Sequence, residues 1–93
     1  MLKISVVEGP RRCRLVLEGM LIEPWIAEVI SEYTKTKGHL DGRELVIDIT
    51  NLTAVSPAGE SALLLLLDVN AKFQTGVYMN EVLKQLASKR RSK

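Results

Sequence analysis

Few residues of this chain carry side chains suited to covalent or metal chemistry. Its 93 residues include one cysteine, Cys13, and one histidine, His39, which together cannot form a zinc site or an intramolecular disulfide. The sequence shows no nucleophile–base pair and no phosphate-binding glycine loop. Asp48 ends an apolar run and could accept a phosphoryl group, but no residue beside it is suited to hold Mg²⁺. We therefore expect no enzymatic activity, no metal and no cofactor.

The polar residues most informative about function surround Ser56. Serine is a preferred N-cap residue, because its side-chain oxygen accepts a hydrogen bond from an N–H group of the first helical turn. Pro57 suits the first helical position, where its missing N–H costs nothing. Glu60 places a negative charge near the positive end of the helix dipole. The segment therefore predicts a helix that begins at Ser56 and Pro57.

Strands that position this helix start are predicted from the alternation of apolar and polar side chains, a pattern typical of half-buried strands. The predicted strands cover residues 2–7, 11–18 and 44–50, with a short fourth strand at 77–79. Glu8-Gly9-Pro10 makes the first two strands a hairpin. Cys13 falls on an apolar strand face and is expected to be buried, whereas His39 lies in a polar loop. Residues 51–55 are expected to form a second loop.

Helices are predicted at three places by amphipathic spacing and by residues typical of helix ends. The first begins near Pro24 and ends before Gly38, and the second runs from Ser56 to about residue 72 or 73. Asn80 is expected to cap the third. The element order is therefore β-β-α-β-α-β-α. Strands separated by helices indicate right-handed crossovers, so we predict an α/β fold with a mostly parallel sheet and an antiparallel first strand at its edge.

Helices are expected to cover only one face of this sheet. Parallel strands covered on both sides usually appear as continuous apolar runs, whereas residues 11–18 and 44–50 alternate. The uncovered face is predicted to carry mostly polar and charged side chains with a few valines. Its expected members are Val7, Arg12, Arg14, Val16, Glu18, Glu44, Val46, Asp48 and Thr50.

Charge is distributed unevenly along the chain. The net charge is +2, but the last ten positions hold five of the 13 basic residues and no acidic one. The remaining 8 basic and 11 acidic residues give positions 1–83 a net charge of −3. Such a basic end is either a solvated helix terminus, which we expect, or a contact for nucleic acid or anionic lipid. Only four aromatic residues are present, and no nucleic-acid-reading motif is visible.

The segment 45–63 resembles the signature of STAS domains, which include bacterial anti-sigma-factor antagonists and the cytosolic domains of sulfate transporters. In that signature an apolar strand ends in Asp, and a short loop then leads to Asp-Ser-Ser/Thr-Gly at a helix start and an Ala-Leu-Leu run. Residues 17–21 also resemble the family's apolar-Thr-Gly-x-Leu segment, and the element order matches. The resemblance implies one STAS-like domain over residues 1–88, followed by a basic C-terminal tail at 89–93.

The chain departs from this signature at the position that matters for regulation. With Gly59 setting the register, Ser56 stands at the family's loop Asp and Pro57 at its phosphorylated Ser. Ala58 replaces the next Ser/Thr. Proline has no hydroxyl group, and phosphorylation would add about −1.5 to −2 charges at a helix start. The resemblance thus implies that the switch is absent at its usual position, and it leaves Ser56 as either a displaced phosphate acceptor or, as we expect, an N-cap.

The resemblance implies a non-enzymatic protein-interaction module. The partner would be an anti-sigma kinase-like protein, which makes the chain an antagonist-like regulator of transcription. The alternatives are an accessory subunit of a transport complex and, less favoured, a nucleic-acid-associated protein that uses the basic tail. The expected partner-binding residues flank the helix start: Thr53, Ser56, Pro57, Ala58, Gly59 and Glu60.

Five consecutive leucines at 63–67 cover most of a helix circumference, because successive helical residues step by about 100°. Either the sheet and other helices enclose this helix, as we expect, or some leucines meet another chain, which leaves a homodimer open. No segment approaches the roughly 20 apolar residues of a membrane helix, and no signal peptide is visible. We therefore expect a cytoplasmic protein with a reduced Cys13.

Overall fold

The fold follows the predicted β-β-α-β-α-β-α order. The computed structural model describes residues 1–69 and 71–91. Its elements are β1 (Leu2–Glu8), β2 (Arg12–Leu21), α1 (Ile26–Lys37), β3 (Glu44–Val55), α2 (Pro57–Asp68), β4 (Lys72–Gln74) and α3 (Val77–Arg91).

The four strands form one sheet in the order β1-β2-β3-β4. β1 pairs with β2 in the antiparallel direction, whereas β2–β3 and β3–β4 are parallel pairs. Parallel neighbours need a crossover connection, which α1 and α2 provide. The predicted mostly parallel sheet with an antiparallel edge strand is therefore confirmed.

Residues 51–55 belong to β3, so the predicted loop at these positions is wrong. The strand continues past Thr50 and pairs with the C-terminal residues of β2, where Asn51 lies opposite Glu18 and Val55 lies opposite Leu21. The pairing shifts register twice in this stretch. Each shift moves side chains out of the strict alternation that marks a strand in a sequence. The irregular pairing explains why the pattern of residues 51–55 does not indicate a strand.

The chain after α2 also differs from the prediction. The fourth strand is Lys72–Gln74 and α2 ends at Asp68, whereas residues 77–79 form the first turn of α3. Asn80 therefore lies inside α3 and does not cap it. Met79 is buried, and it precedes the buried Leu86 by seven positions, which is two helical turns. This 3.6-residue periodicity outweighs the preference of a Val-Tyr pair for strands.

Smaller differences occur at the first helix and at the chain end. α1 begins at Ile26, and Pro24 lies in the turn before it. The helix ends before Gly38, as predicted. α3 continues to Arg91, but the side chains at 89–91 and the whole of residues 92–93 lie outside the described part of the chain. The basic tail therefore stays a prediction.

The hydrophobic core lies on one face of the sheet. Leu15 and Leu17 of β2 and Ile47 and Ile49 of β3 are fully buried there. All three helices add side chains to the same cluster: Val29 from α1, Leu63 and Leu66 from α2, and Met79 and Leu86 from α3. Cys13 is a buried thiol at 2% exposure, as expected.

The opposite face, which we call the open face, carries the predicted polar side chains, but it is less solvated than the sequence suggests. Val46 and Asp48 are only 8% and 9% exposed. Both lie on β3, between β2 and β4, so long neighbouring side chains cover them. Arg14 reaches Asp48 with an Nη1–Oδ2 distance of 3.3 Å. Long charged side chains thus replace a helix layer over the centre of the sheet.

Glu44 sits between two cations at the start of β3 on the open face. Its carboxylate contacts the Lys72 ammonium and lies 3.6 Å from Arg12 Nη2. The hydrogen bond from Lys72, reinforced by the Lys72 and Arg12 charges, holds the pKa of Glu44 below its ordinary value of 4.5. The folded protein therefore binds this proton less readily than the unfolded chain does.

This lowered pKa predicts a pH-dependent loss of stability. The contribution of Glu44 is complete above pH 4.5 and is lost as the pH falls through the lower folded pKa, because the unfolded chain takes up the proton first. Glu44→Gln has no titrating group at this position. Urea unfolding at a series of pH values below 4.5 should show that the free energy of unfolding declines less for Glu44→Gln than for the wild type. Parallel decline in the two proteins would contradict the prediction.

Candidate functional site

Ser56 joins the end of β3 to the start of α2, and its hydroxyl both donates and accepts a hydrogen bond. Its Oγ accepts a hydrogen bond from the backbone N–H of Gly59 at 3.1 Å and donates one to Glu23 Oε1 at 3.0 Å. The Ser56 carbonyl accepts from the Glu60 N–H at 2.8 Å, and its own N–H donates to the Leu21 carbonyl at 3.0 Å. Ser56 is therefore the N-cap of α2, as predicted.

Glu23 is the residue of this site that the sequence analysis missed. It lies in the exposed turn between β2 and α1, and it reaches the helix start across the end of the sheet. Nothing in the local sequence marks it, because its partner Ser56 is distant along the chain. Its carboxylate places a second acidic group at the N-terminus of α2, besides Glu60 of the first turn.

Gly59 is buried beneath the helix start. A Cβ atom on it would lie 2.4 Å from the carbonyl oxygen of Leu21 and 2.9 Å from Val55 Cγ1. Only a glycine lets α2 approach the end of β2 this closely. Gly59 therefore positions the helix from below, and its backbone N–H is held by Ser56.

The other predicted partner-binding residues reach the surface. Thr53 and Pro57 are exposed, whereas Ser56, Ala58 and Glu60 are half-buried. The Thr53 hydroxyl donates to the Gly19 carbonyl at 3.0 Å, which ties its side chain to β2. We call these five residues the α2 entry surface. It is a rigid surface, because a strand end, an N-cap and a first helical turn hold it in place.

Phosphorylation of Ser56 would disrupt this arrangement. The hydroxyl already donates to Glu23 and accepts from Gly59. A phosphate would bring about −1.5 to −2 charges beside the Glu23 carboxylate, and the two negative groups would repel each other. Pro57 offers no hydroxyl at the neighbouring position. The geometry therefore favours the N-cap role of Ser56 over that of a displaced phosphate acceptor.

The capping role can be measured. Ser56→Ala removes the acceptor for the Gly59 N–H and is expected to lower the free energy of unfolding by about 1 kcal/mol. Ser61→Ala is the matched control, because Ser61 is exposed on the same helix and its hydroxyl bonds only to the Pro57 carbonyl. We expect it to stay within about 0.5 kcal/mol of the wild type in urea unfolding. Equal losses in both variants would show that the cap contributes nothing specific.

Asp48 has a structural partner set. Its Oδ1 accepts from the Thr50 backbone N–H at 3.0 Å, and its Oδ2 accepts from Arg14. Within residues 1–69 and 71–91, no group of three His, Cys, Asp or Glu side chains is placed to hold a metal ion. Every helix in the same part of the chain is too short or too polar to cross a membrane.

No protein-family model matches the chain, and no curated protein matches it in sequence. The chain is similar in structure to an uncharacterized protein of the DUF3478 family from Shewanella loihica PV-4, whose crystal structure is described as having a SpoIIAA-like fold. It superposes with a TM-score of 0.58 at 14% identity, over 92% of this chain and 76% of that chain. At this identity the likeness shows the fold.

The chain therefore has a SpoIIAA-like fold, which is the STAS-like fold of an anti-sigma-factor antagonist. The resemblance of segment 45–63 to STAS domains and the observed topology thus indicate the same fold.

Proposed function

We propose that this chain is a non-enzymatic interaction module of STAS type, which binds a protein partner through the α2 entry surface. The observation that carries the proposal is the exposed, firmly capped start of α2 in a SpoIIAA-like fold. Such a surface needs no rearrangement to bind, so little conformational entropy is lost on association. Among the two candidate partners, an anti-sigma-type kinase is preferred and a subunit of a transport complex is the alternative.

Binding by this surface would not be switched by phosphate at the usual position. Pro57 occupies that position, and the neighbouring hydroxyl of Ser56 caps the helix. The module would act as a constitutive antagonist, with its level set by synthesis or by a second signal. Stoichiometric phosphate on Ser56, found by intact mass of protein from the native host, would contradict this part of the proposal.

The partner is identified by affinity capture from native lysate with a pair of matched variants. Pro57→Arg adds a large charged side chain at the exposed centre of the α2 entry surface. A substitution at the buried Gly59 would instead disturb packing. Gln85→Arg adds the same charge at an exposed position further along α3 and serves as the control.

Three results distinguish the readings. Loss of an anti-sigma-type kinase with Pro57→Arg, but not with Gln85→Arg, supports an antagonist-like regulator. Loss of transporter subunits with Pro57→Arg alone supports the accessory-subunit alternative. If the wild type and both variants capture the same proteins, the α2 entry surface is not the binding face, and the proposal fails.

A further inference from the structure

The two edges of the sheet are built differently. β4 exposes only the three residues Lys72–Gln74, and short edge strands resist pairing with other chains. β1 exposes the seven residues Leu2–Glu8, and its pairing with β2 contains no register shift. The strand has no proline, and Lys3 is its only basic residue. β1 thus lacks most of the devices by which proteins block an open edge.

Two hydrogen bonds at the ends of β1 show which of its backbone groups bond to β2 and which point outward. The Met20 N–H donates to the Met1 carbonyl at 3.1 Å, and the Gly9 N–H donates to the Arg12 carbonyl at 3.0 Å. In an antiparallel pair, hydrogen-bonded residues alternate with residues that point away from the partner. Odd-numbered positions therefore bond to β2, and the even-numbered positions 2, 4, 6 and 8 present their N–H and C=O groups outward.

The side chains at these even-numbered positions line a groove between β1 and α1. Two adjoining cavities of about 350 and 200 Å³ form it, and both border on Glu32 and Lys35 of α1. The first also borders on Leu2, Ile4, Glu28 and Ser31, and the second on Val6, Glu8, Thr36 and His39. β1 and α1 therefore run alongside each other in the same direction. Val6 is 42% exposed at the edge of this groove.

We propose that β1 pairs with β1 of a second copy of this chain, antiparallel and related by a two-fold axis at Ser5. In this register Ile4 lies opposite Val6 of the second copy, and Leu2 lies opposite Glu8. Every outward N–H and C=O group of the strand then has a partner, since all of them lie on even-numbered residues. The two four-stranded sheets become continuous, and the exposed Val6 packs against Ile4 on the helix-covered face.

Charge on α1 fits the same symmetry. The axis at Ser5 brings the two α1 helices alongside each other in opposite directions, because each follows its own β1. Glu28 borders the cavity at Leu2 and Ile4. The two-fold axis places it opposite the cavity at Val6 of the other copy, which Lys35 also borders. Both side chains are exposed. Lys35 Nζ lies 3.6 Å from Glu32 Oε2 of its own helix, so the contact with Glu28 of the other copy would share Lys35 with this intrahelical pair. An isologous interface repeats this Glu28–Lys35 pair twice, which favours a second copy over an unrelated strand.

The dimer is independent of the proposed function, because no residue of β1 belongs to the α2 entry surface. The two-fold axis would place the two α2 entry surfaces at opposite ends of the joined sheet. A dimer would therefore bind two partner molecules without crowding.

Sedimentation velocity over a concentration series that reaches the sub-millimolar range tests the proposal. Val6→Lys puts a charge opposite Ile4 of the second copy, and it should weaken dimerisation about tenfold or more. Gln74→Lys makes a comparable change at the exposed β4 edge, and it should leave the dimer intact. Circular dichroism and urea unfolding establish that both variants are folded.

A charge exchange tests the symmetry without touching the strand. Glu28→Lys should weaken the dimer, and Glu28→Lys combined with Lys35→Glu should restore it. Amide exchange gives a third readout, because the N–H groups of Ile4 and Val6 should be protected in the dimer and lose protection on dilution. A chain that stays monomeric throughout the series would overturn the proposal. So would a dimer that Val6→Lys leaves intact.

Discussion

Gly59→Ala is expected to lower the free energy of unfolding by about 3 kcal/mol, since a new methyl group would be forced against backbone. The added Cβ would lie 2.4 Å from the Leu21 carbonyl oxygen, a distance that real Cβ contacts do not show. Relief requires α2 to move away from the end of β2. That movement would loosen the hydrogen bond between the Ser56 N–H and the Leu21 carbonyl.

Gly38→Ala is the matched control for this prediction. Gly38 ends α1 with a φ of −73°, and the nearest atom to its added Cβ is the Lys35 carbonyl oxygen at 3.4 Å. Alanine adopts this conformation without strain, and it reduces the freedom of the unfolded chain. A gain of about 0.4–1 kcal/mol is therefore expected. Urea unfolding of both variants makes the comparison.

A loss below about 1 kcal/mol in Gly59→Ala would contradict the argument, because it would mean that α2 shifts at little cost. The result also bears on function. A helix that shifts easily would not hold the α2 entry surface in one geometry.

Much of the fold is predictable because the sequence patterns are local. Alternation in β1, β2 and the first half of β3 reflects a sheet with a single covered face. The pair Ser56 and Pro57 marks the start of α2, since capping involves residues three positions apart. These features do not depend on distant parts of the chain.

The features that the sequence does not predict depend on distant contacts. β3 extends to Val55 because the end of β2 offers it a partner through an irregular register. Glu23 joins the site only because the sheet brings it to Ser56. The burial of Asp48 depends on Arg14 of the neighbouring strand. Each of these contacts links residues that are more than thirty positions apart or out of regular register.

The last strand and helix illustrate a competition between local preferences and packing. Val77 and Tyr78 favour a strand by residue type, yet they start α3 and remain 92% and 56% exposed. Burial of Met79 and Leu86 on one helical face decides the outcome. Phe73 takes the strand position next to Ile47, although its short segment has little apolar pattern. Burying two large side chains outweighs the strand preference of two exposed ones.

The second large effect is expected within the leucine run. Leu63 is fully buried in the core cluster, whereas Leu65 is 61% exposed on the same helix. Leu63→Ala should lower the free energy of unfolding by about 3–4 kcal/mol, because it removes buried methyl groups and leaves a cavity. Leu65→Ala should change it by less than about 0.5 kcal/mol. Urea denaturation of the two variants measures the difference.

The same pair of variants decides what the leucines are for. Leu63 and Leu66 are buried in the core, and Leu64 and Leu67 pack against it. Enclosure by the sheet and the other helices therefore accounts for four of the five leucines. Leu65 is the leucine left over, and it is the one that could meet another chain. Sedimentation of Leu65→Ala should match the wild type if dimerisation uses β1. A large change in association with Leu65→Ala, together with unchanged stability, would instead place the interface on α2 and remove β1 from it.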